Sequence, residues 1–115
     1  MTMDELLSAV KAEFDLDLIK DYDGFIAVQT TITGEPNGVF YAEVKDHELH
    51  IEPYDYYDRN AAITISADNL INILKGKLDP VIAFTVGKLK VEGDPGKVLE
   101  LLRFTKKSRA RKASK

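Results

Sequence analysis

The chain has 115 residues, of which 44% are hydrophobic and 30% are charged. This length supports one compact domain with its own core and is too short for two domains. The absence of cysteine excludes disulfide frameworks, thiolate zinc sites and thiol nucleophiles. No apolar run approaches the roughly 20 residues of a membrane-spanning helix, and the acidic N-terminus is not typical of a secretory signal. We therefore expect a soluble, cytoplasmic protein.

Charge divides the chain into an acidic body, residues 1–105, and a basic tail, residues 106–115. A nucleic-acid groove requires Lys and Arg clustered on an ordered face, so the acidic body argues against nucleic-acid binding outside the tail. The tail has no large apolar residue, and we expect it to be disordered and to contact an anionic membrane. Its cations are Lys106, Lys107, Arg109, Arg111, Lys112 and Lys115.

The first third of the chain predicts a helix followed by a strand. Residues 4–14 carry apolar side chains at three- and four-residue spacing, which predicts an amphipathic helix capped by Thr2 or Asp4. Its apolar stripe consists of Leu6, Leu7, Val10 and Phe14. Residues 15–23 form an acidic connector. Residues 26–33 then alternate with period two and are rich in β-branched side chains, which predicts a strand.

Turn signals and alternating residues predict three more strands in the middle of the chain. The run Glu35-Pro36-Asn37-Gly38 favours a tight turn into a strand over residues 40–45. A short turn at Asp46-His47 leads to a strand over residues 48–52, and a fourth strand covers residues 61–66. We expect these strands to form an antiparallel meander.

The second half of the chain predicts three helices and one strand. Ser66 is a good N-cap for a helix over roughly residues 67–75, and Gly76 follows where a left-handed residue belongs. Asp79-Pro80 starts a short helix that stops at Gly87. A strand over residues 88–92 comes next. Gly93-Asp94-Pro95 opens a last helix, with these side chains expected to point inward: Val98, Leu99, Leu102 and Phe104.

The element order is therefore αββββααβα. A sheet of about five strands with one apolar face must be covered, and the predicted helices are the available cover. We predict an α+β fold with a mainly antiparallel sheet and helices packed on one face.

The polar residues do not predict catalytic chemistry. Residues three apart on a strand point to opposite faces, so His47 and His50 do not share a metal ion. The carboxylates fall in loops, at helix starts or on strand faces that we expect to be solvated: Asp4, Asp79, Asp94, Glu43, Glu48 and Glu52. The glycines lack the spacing of a phosphate-binding loop. We expect no metal, no cofactor and no catalytic residue.

The tyrosine-rich loop, residues 53–59, allows two interpretations. Three amphipathic rings in a polar connector are able to line the entrance to an apolar site. Alternatively, one or two of them cap the end of the core, which is the interpretation that we favour.

Three runs in the second half resemble the sterol carrier protein 2 family of lipid-binding domains. They are Ile63–Leu70, Leu74–Pro80 and Ala83–Asp94, which include Gly-Lys-Leu-Asp-Pro and Gly-Lys-Leu-Lys-Val-Glu-Gly-Asp. The resemblance implies a five-stranded sheet with helices over one face. It also implies an apolar tunnel that holds a fatty acyl chain, phospholipid, sterol or isoprenoid ligand.

A lipid tunnel needs apolar surfaces on the sheet and on the helices that leave a void between them. The candidate lining residues are Phe40, Leu49, Ile51, Ile63, Ile65, Leu70, Leu74, Leu78, Phe84, Leu99 and Leu102. With a void, the chain is a non-enzymatic lipid carrier, either a monomer or a homodimer. With a filled core, it is instead a module for dimerisation or for docking on an enzyme.

Overall fold

The structure is a computed structural model that describes residues 1–53 and 59–107, and the elements below are those of the described residues. The helices are α1 (Met3–Ala12), α2 (Leu16–Ile19), α3 (Ala67–Leu74), α4 (Pro80–Thr85) and α5 (Pro95–Leu102). The strands are β1 (Ile26–Thr33), β2 (Gly38–Lys45), β3 (Glu48–Glu52), β4 (Ala61–Ser66) and β5 (Leu89–Gly93).

The strands form one mixed sheet in the order β3-β2-β1-β4-β5. The predicted meander is confirmed for β1, β2 and β3, but it is wrong for β4, which pairs parallel to β1 with Thr30 opposite Ile63. Asn60 explains this placement, because its side-chain oxygen accepts the Ala27 N–H and its own N–H donates to the Ala27 carbonyl, each at 2.8 Å. These bonds hold the start of β4 beside β1. β5 then adds antiparallel to β4.

The N-terminal helix is confirmed, with Thr2 as its cap. The Thr2 hydroxyl accepts the Glu5 N–H at 3.2 Å, and Glu5 Oε1 accepts the Thr2 N–H at 2.9 Å. The backbone bond from Thr2 lowers the pKa of Glu5. α1 ends before Phe14, which is nevertheless buried.

The acidic connector after α1 contains a short helix that its composition did not predict. In this segment Asp15 accepts the Asp17 N–H at 3.0 Å and caps α2. The buried residue of α2 is Ile19. The predicted element order is therefore confirmed with one additional helix.

The predicted turns and caps of the remaining chain are present. Asp46 and His47 have φ values of 52° and 66°, which make the two-residue turn between β2 and β3. Ser66 and Asp94 cap α3 and α5. Gly76 ends the turn after α3 with φ 76°, a left-handed conformation that glycine adopts without a Cβ clash.

The hydrophobic core lies between the helices and one face of the sheet. The centre of that face is made by alternate residues of β1, β2 and β4, including Val28, Phe40 and Ile63. α1, α3 and α5 contribute the opposing apolar side chains: Leu6, Leu7, Val10, Leu70, Ile73, Leu74, Val98 and Leu101. The predicted α+β architecture with covering helices is confirmed.

The other face of the sheet is polar, but one of its carboxylates is not solvated as predicted. Glu43 is buried on β2, between Ala27 of β1 and His50 of β3 in the strand register. A residue on an interior strand is flanked on both sides by neighbouring side chains, which a pattern along one strand does not reveal.

Candidate apolar binding site

The space between sheet and helices is almost filled. A small core cavity of about 30 Å³ remains there. Five of the predicted lining residues border it: Phe40, Ile63, Leu70, Leu74 and Leu102. The facing apolar surfaces therefore interdigitate over most of their contact.

A larger apolar groove opens at the surface beside α4. This α4–α5 groove has a volume of about 150 Å³. Its lining residues are all apolar and come from α4, β5 and α5: Pro80, Val81, Phe84, Leu89, Val91, Pro95, Val98 and Leu99. An all-apolar groove binds alkyl groups through loss of water from both surfaces, with little directional recognition.

Local sequence signals position the walls of the groove. Asp79 accepts the Val81 and Ile82 N–H groups at 2.8 and 3.2 Å and so starts α4, with Pro80 in the first helical position. Asp94 and Pro95 start α5 in the same way. At the end of β5, directly before the α5 cap, the chain needs glycine at position 93, because a Cβ there would lie 2.7 Å from the Asn60 carbonyl oxygen.

Val98 connects the two apolar spaces. It is buried on α5 and lines both the α4–α5 groove and the core cavity, so its side chain stands between them. Val98 is the residue common to the two linings, so the groove and the cavity adjoin at this side chain.

A second groove adjoins the first and carries positive charge. It has a volume of about 270 Å³ and shares Pro80 and Leu99 with the α4–α5 groove. Its other lining residues are Ile73, Gly76, Leu102, Arg103, Thr105 and Lys107. The sequence did not predict that a cationic groove adjoins the apolar one. Arg103 and Lys107 are distant in sequence from α3 and α4, and only the tertiary structure brings them together.

The remaining predicted lining residues lie elsewhere in the core. Ile51 and Ile65 are buried on the inner face of the sheet, and Leu49 and Leu78 are partly buried against the core. None of these four borders the core cavity or the α4–α5 groove.

The predicted inward orientation of Leu99 is wrong. Leu99 is 41% exposed, whereas Leu101 is buried and forms the inner stripe of α5 with Val98. Residues 98, 99, 101 and 102 are all apolar, so the spacing alone does not determine which face of α5 is buried. Phe84 is also exposed, at 55%, although it lines the α4–α5 groove.

Each histidine lies near a carboxylate. His47 Nε2 is 3.3 Å from Asp23 Oδ1, and His50 Nε2 is 3.4 Å from Glu48 Oε2. Across residues 1–53 and 59–107, no group of three or more His, Asp or Glu side chains is arranged to hold a metal ion.

Two of the predicted segments fall mainly outside the described residues. The tyrosine loop is described only at Pro53 and Arg59, and the basic tail only at Lys106 and Lys107. The Lys106 N–H donates to the Glu13 carbonyl at 2.9 Å, so the described start of the tail lies beside the end of α1. No helix among the described residues is long and apolar enough to span a bilayer.

The family model of the SCP-2 sterol transfer family matches residues 3–106. The chain belongs to this family. The resemblance of the runs in its second half is therefore confirmed, and the match extends through the first half to α1.

The chain is similar to one part of longer curated proteins. The chain is 28% identical over 102 residues to hydroxysteroid dehydrogenase-like protein 2 of Bos taurus. That alignment covers 86% of this chain and 23% of the relative, so the chain spans about a quarter of that protein's length.

Solved structures share the SCP-2 fold at low sequence identity. The stereoselective inverting sec-alkylsulfatase Pisa1 from Pseudomonas sp. superimposes with a TM-score of 0.69 at 17% identity, over 81% of this chain and 14% of that one. Palmitated SCP2L2 from Aedes aegypti superimposes with a TM-score of 0.59 at 17% identity, over 88% and 87% of the two chains. These similarities confirm the fold.

Proposed function

We propose that this chain is a non-enzymatic lipid-binding and carrier domain of the cytoplasm, whose ligand enters the α4–α5 groove. The observation that carries the proposal is the all-apolar lining of this groove, which shares Val98 with the lining of the core cavity. Membership of the SCP-2 family supports lipid as the ligand class. The palmitated state of the Aedes aegypti relative supports a fatty acyl chain in particular.

Burial of an alkyl chain supplies the affinity without a catalytic group. Each buried methylene contributes about 0.8 kcal/mol, so ten contribute about 8 kcal/mol before the costs of association. A dissociation constant of 1 μM corresponds to about 8 kcal/mol net, so ten methylenes alone give an affinity weaker than micromolar once these costs are subtracted. An alkyl chain longer than the groove enters the core cavity when the Val98 side chain moves aside.

The adjoining cationic groove favours a ligand with an acidic head group. Arg103 and Lys107 line this groove, and Leu99 lies at its border with the apolar one. A fatty acid or a phospholipid matches these two adjoining grooves, with its alkyl chain in the apolar one and its acidic head group in the cationic one. An isoprenoid or a sterol-like ligand uses the apolar groove alone.

Extraction of the natively purified chain with organic solvent, followed by mass spectrometry, tests the proposal. We expect a co-purifying lipid, and native mass spectrometry should show about one lipid per chain. If the protein remains empty after fatty acids and phospholipids are offered, the proposal is wrong.

A substitution at the groove localises the site. Leu99→Gln should weaken binding of a fluorescent fatty acid by about tenfold, because it places an amide in the apolar lining. Leu16→Gln is the matched control, since Leu16 is 63% exposed on α2 and lies away from this groove. Equal weakening by both substitutions would contradict the site.

The second candidate is a module for dimerisation or for docking on an enzyme. The small size of the core cavity, about 30 Å³, favours it, because a filled core leaves the exposed apolar residues of α4 for a protein partner. This alternative predicts no extractable lipid and a stable dimer in size-exclusion chromatography with light scattering.

A further inference from the structure

Exposed apolar side chains concentrate on α4. Val81, Ile82 and Phe84 of this helix and Val86 at its C-cap are each between 55% and 61% exposed. Among the described residues, the other large apolar side chains with this degree of exposure are Met1 and Leu16. Single exposed apolar residues are ordinary on protein surfaces, but a contiguous group of them marks an interaction surface.

Lysines flank this helix on both sides. Lys75 and Lys77 precede α4, and Lys88 and Lys90 follow it, whereas residues 75–90 contain one acidic residue, Asp79. The Asp79 carboxylate is occupied as the α4 N-cap. In the part of the chain that the structure describes, Lys77 and Lys88 are exposed and have no carboxylate partner.

We infer that α4 docks this chain on an anionic lipid bilayer. In this arrangement Ile82 and Val86 enter the boundary between head groups and acyl chains, while Lys77 and Lys88 contact lipid phosphates. Lysine suits this position because its alkyl stem lies along apolar surface and its ammonium group stays in the polar layer. Each such lysine near an anionic surface contributes about 1 kcal/mol.

Charge favours a bilayer over a second copy of the chain as the occupant. A two-fold dimer through α4 would place the same patch on both sides of the interface, so that Lys77 and Lys88 of one copy would face those of the other. Like charges across an interface are unfavourable. An anionic bilayer supplies the opposite charge.

The α4–α5 groove opens on the same surface. Val81 and Phe84 line the groove and are also exposed on α4. A lipid that leaves a docked bilayer therefore reaches the groove without exposing its alkyl chain to bulk water. Membrane docking at α4 supplies a step that the lipid-binding proposal by itself does not include.

The double substitution Ile82→Ser and Val86→Ser tests the apolar contribution in the full chain. Both residues are exposed and neither lines the groove, so the fold and lipid binding from solution should be retained. We expect sedimentation with vesicles of equal parts phosphatidylcholine and phosphatidylglycerol to show binding that is weaker by at least about tenfold. Leu16→Ser, the matched exposed control on α2, should bind vesicles like the unsubstituted chain.

The double substitution Lys77→Gln and Lys88→Gln tests the charge contribution. It should reduce the preference for the mixed vesicles over vesicles of phosphatidylcholine alone, in the full chain and also in a chain that ends at Lys107, whereas Lys45→Gln at the far end of β2 should not. Unchanged vesicle binding by the serine variant would overturn the inference. A dimer that the serine variant converts to a monomer would also overturn it, since a second copy would then cover α4.

Discussion

The Tyr22 hydroxyl donates a hydrogen bond to Glu100 Oε1 at 2.5 Å and thereby joins the segment before β1 to α5. The Tyr22 ring also packs against the Phe104 ring in a T-shaped arrangement, with 5.0 Å between the ring centroids. Lys97 Nζ lies 3.5 Å from Glu100 Oε2 on the same helix. These contacts hold the helix that carries Val98, the side chain between the α4–α5 groove and the core cavity.

The Tyr22–Glu100 pair predicts a stability change at high pH. Burial, reinforced by Glu100, raises the pKa of Tyr22 from 10.0 to about 12. The unfolded chain therefore releases this proton first, so the contribution of Tyr22 to the unfolding free energy is complete below about pH 10. It decreases between pH 10 and about 12.

Tyr22→Phe should be less stable than the unsubstituted chain near neutral pH, by about 1 kcal/mol, because it lacks the hydrogen bond. The difference should shrink above about pH 10, as the unsubstituted chain loses its advantage. Urea unfolding at several pH values measures both effects. A constant difference across the range would contradict the raised pKa.

Val98→Ala should join the α4–α5 groove to the core cavity, because Val98 lines both. The truncation should lower the unfolding free energy by about 2 kcal/mol, through lost burial and the space left behind. Longer fatty acids should then compete more effectively for a fluorescent lipid probe than they do in the unsubstituted chain.

Val44→Ala is the matched control for Val98→Ala. Val44 is fully buried on β2 and borders neither the groove nor the cavity, so its truncation should reduce stability without changing the preferred chain length. If both variants shift the preference equally, looser packing in general is responsible and the role of Val98 is refuted.

Asp79→Ala should destabilise α4, because it removes the acceptor for the Val81 and Ile82 N–H groups. The expected loss is about 1 kcal/mol, as for other N-cap residues. Lipid affinity should fall as well, since Val81 belongs to the groove. Asp79→Asn retains an N-cap acceptor, so its unfolding free energy and lipid affinity should stay close to those of the unsubstituted chain. Equal losses in the Ala and Asn variants would argue against the role of the cap.

The tail prediction is tested by comparing the full chain with a chain that ends at Lys107. This end keeps the hydrogen bond from the Lys106 N–H to the Glu13 carbonyl. The shorter chain should bind anionic vesicles less tightly at low salt, because it lacks four cations. At about 1 M salt, where the screening length is about 3 Å, the two chains should bind alike. Equal binding at low salt would refute a membrane role for the tail.

Local signals predicted most of the helices and strands of this chain. Asp79-Pro80 and Asp94-Pro95 mark helix starts through backbone chemistry that involves neighbouring residues alone. The alternation in β1 likewise identifies its inner face without knowledge of its partners.

Apart from α2 and its cap, the sequence by itself determined the element order, the helix caps and the α+β class, because these depend on interactions within a few residues. Only the tertiary structure decided that β4 lies parallel to β1, where Asn60 bonds to Ala27 across 33 positions. It also decided that Leu99 faces the groove and that Val98 lines both the groove and the core cavity. Free space depends on how side chains from distant segments fill a shared volume, and periodicity along one segment carries no information about that volume.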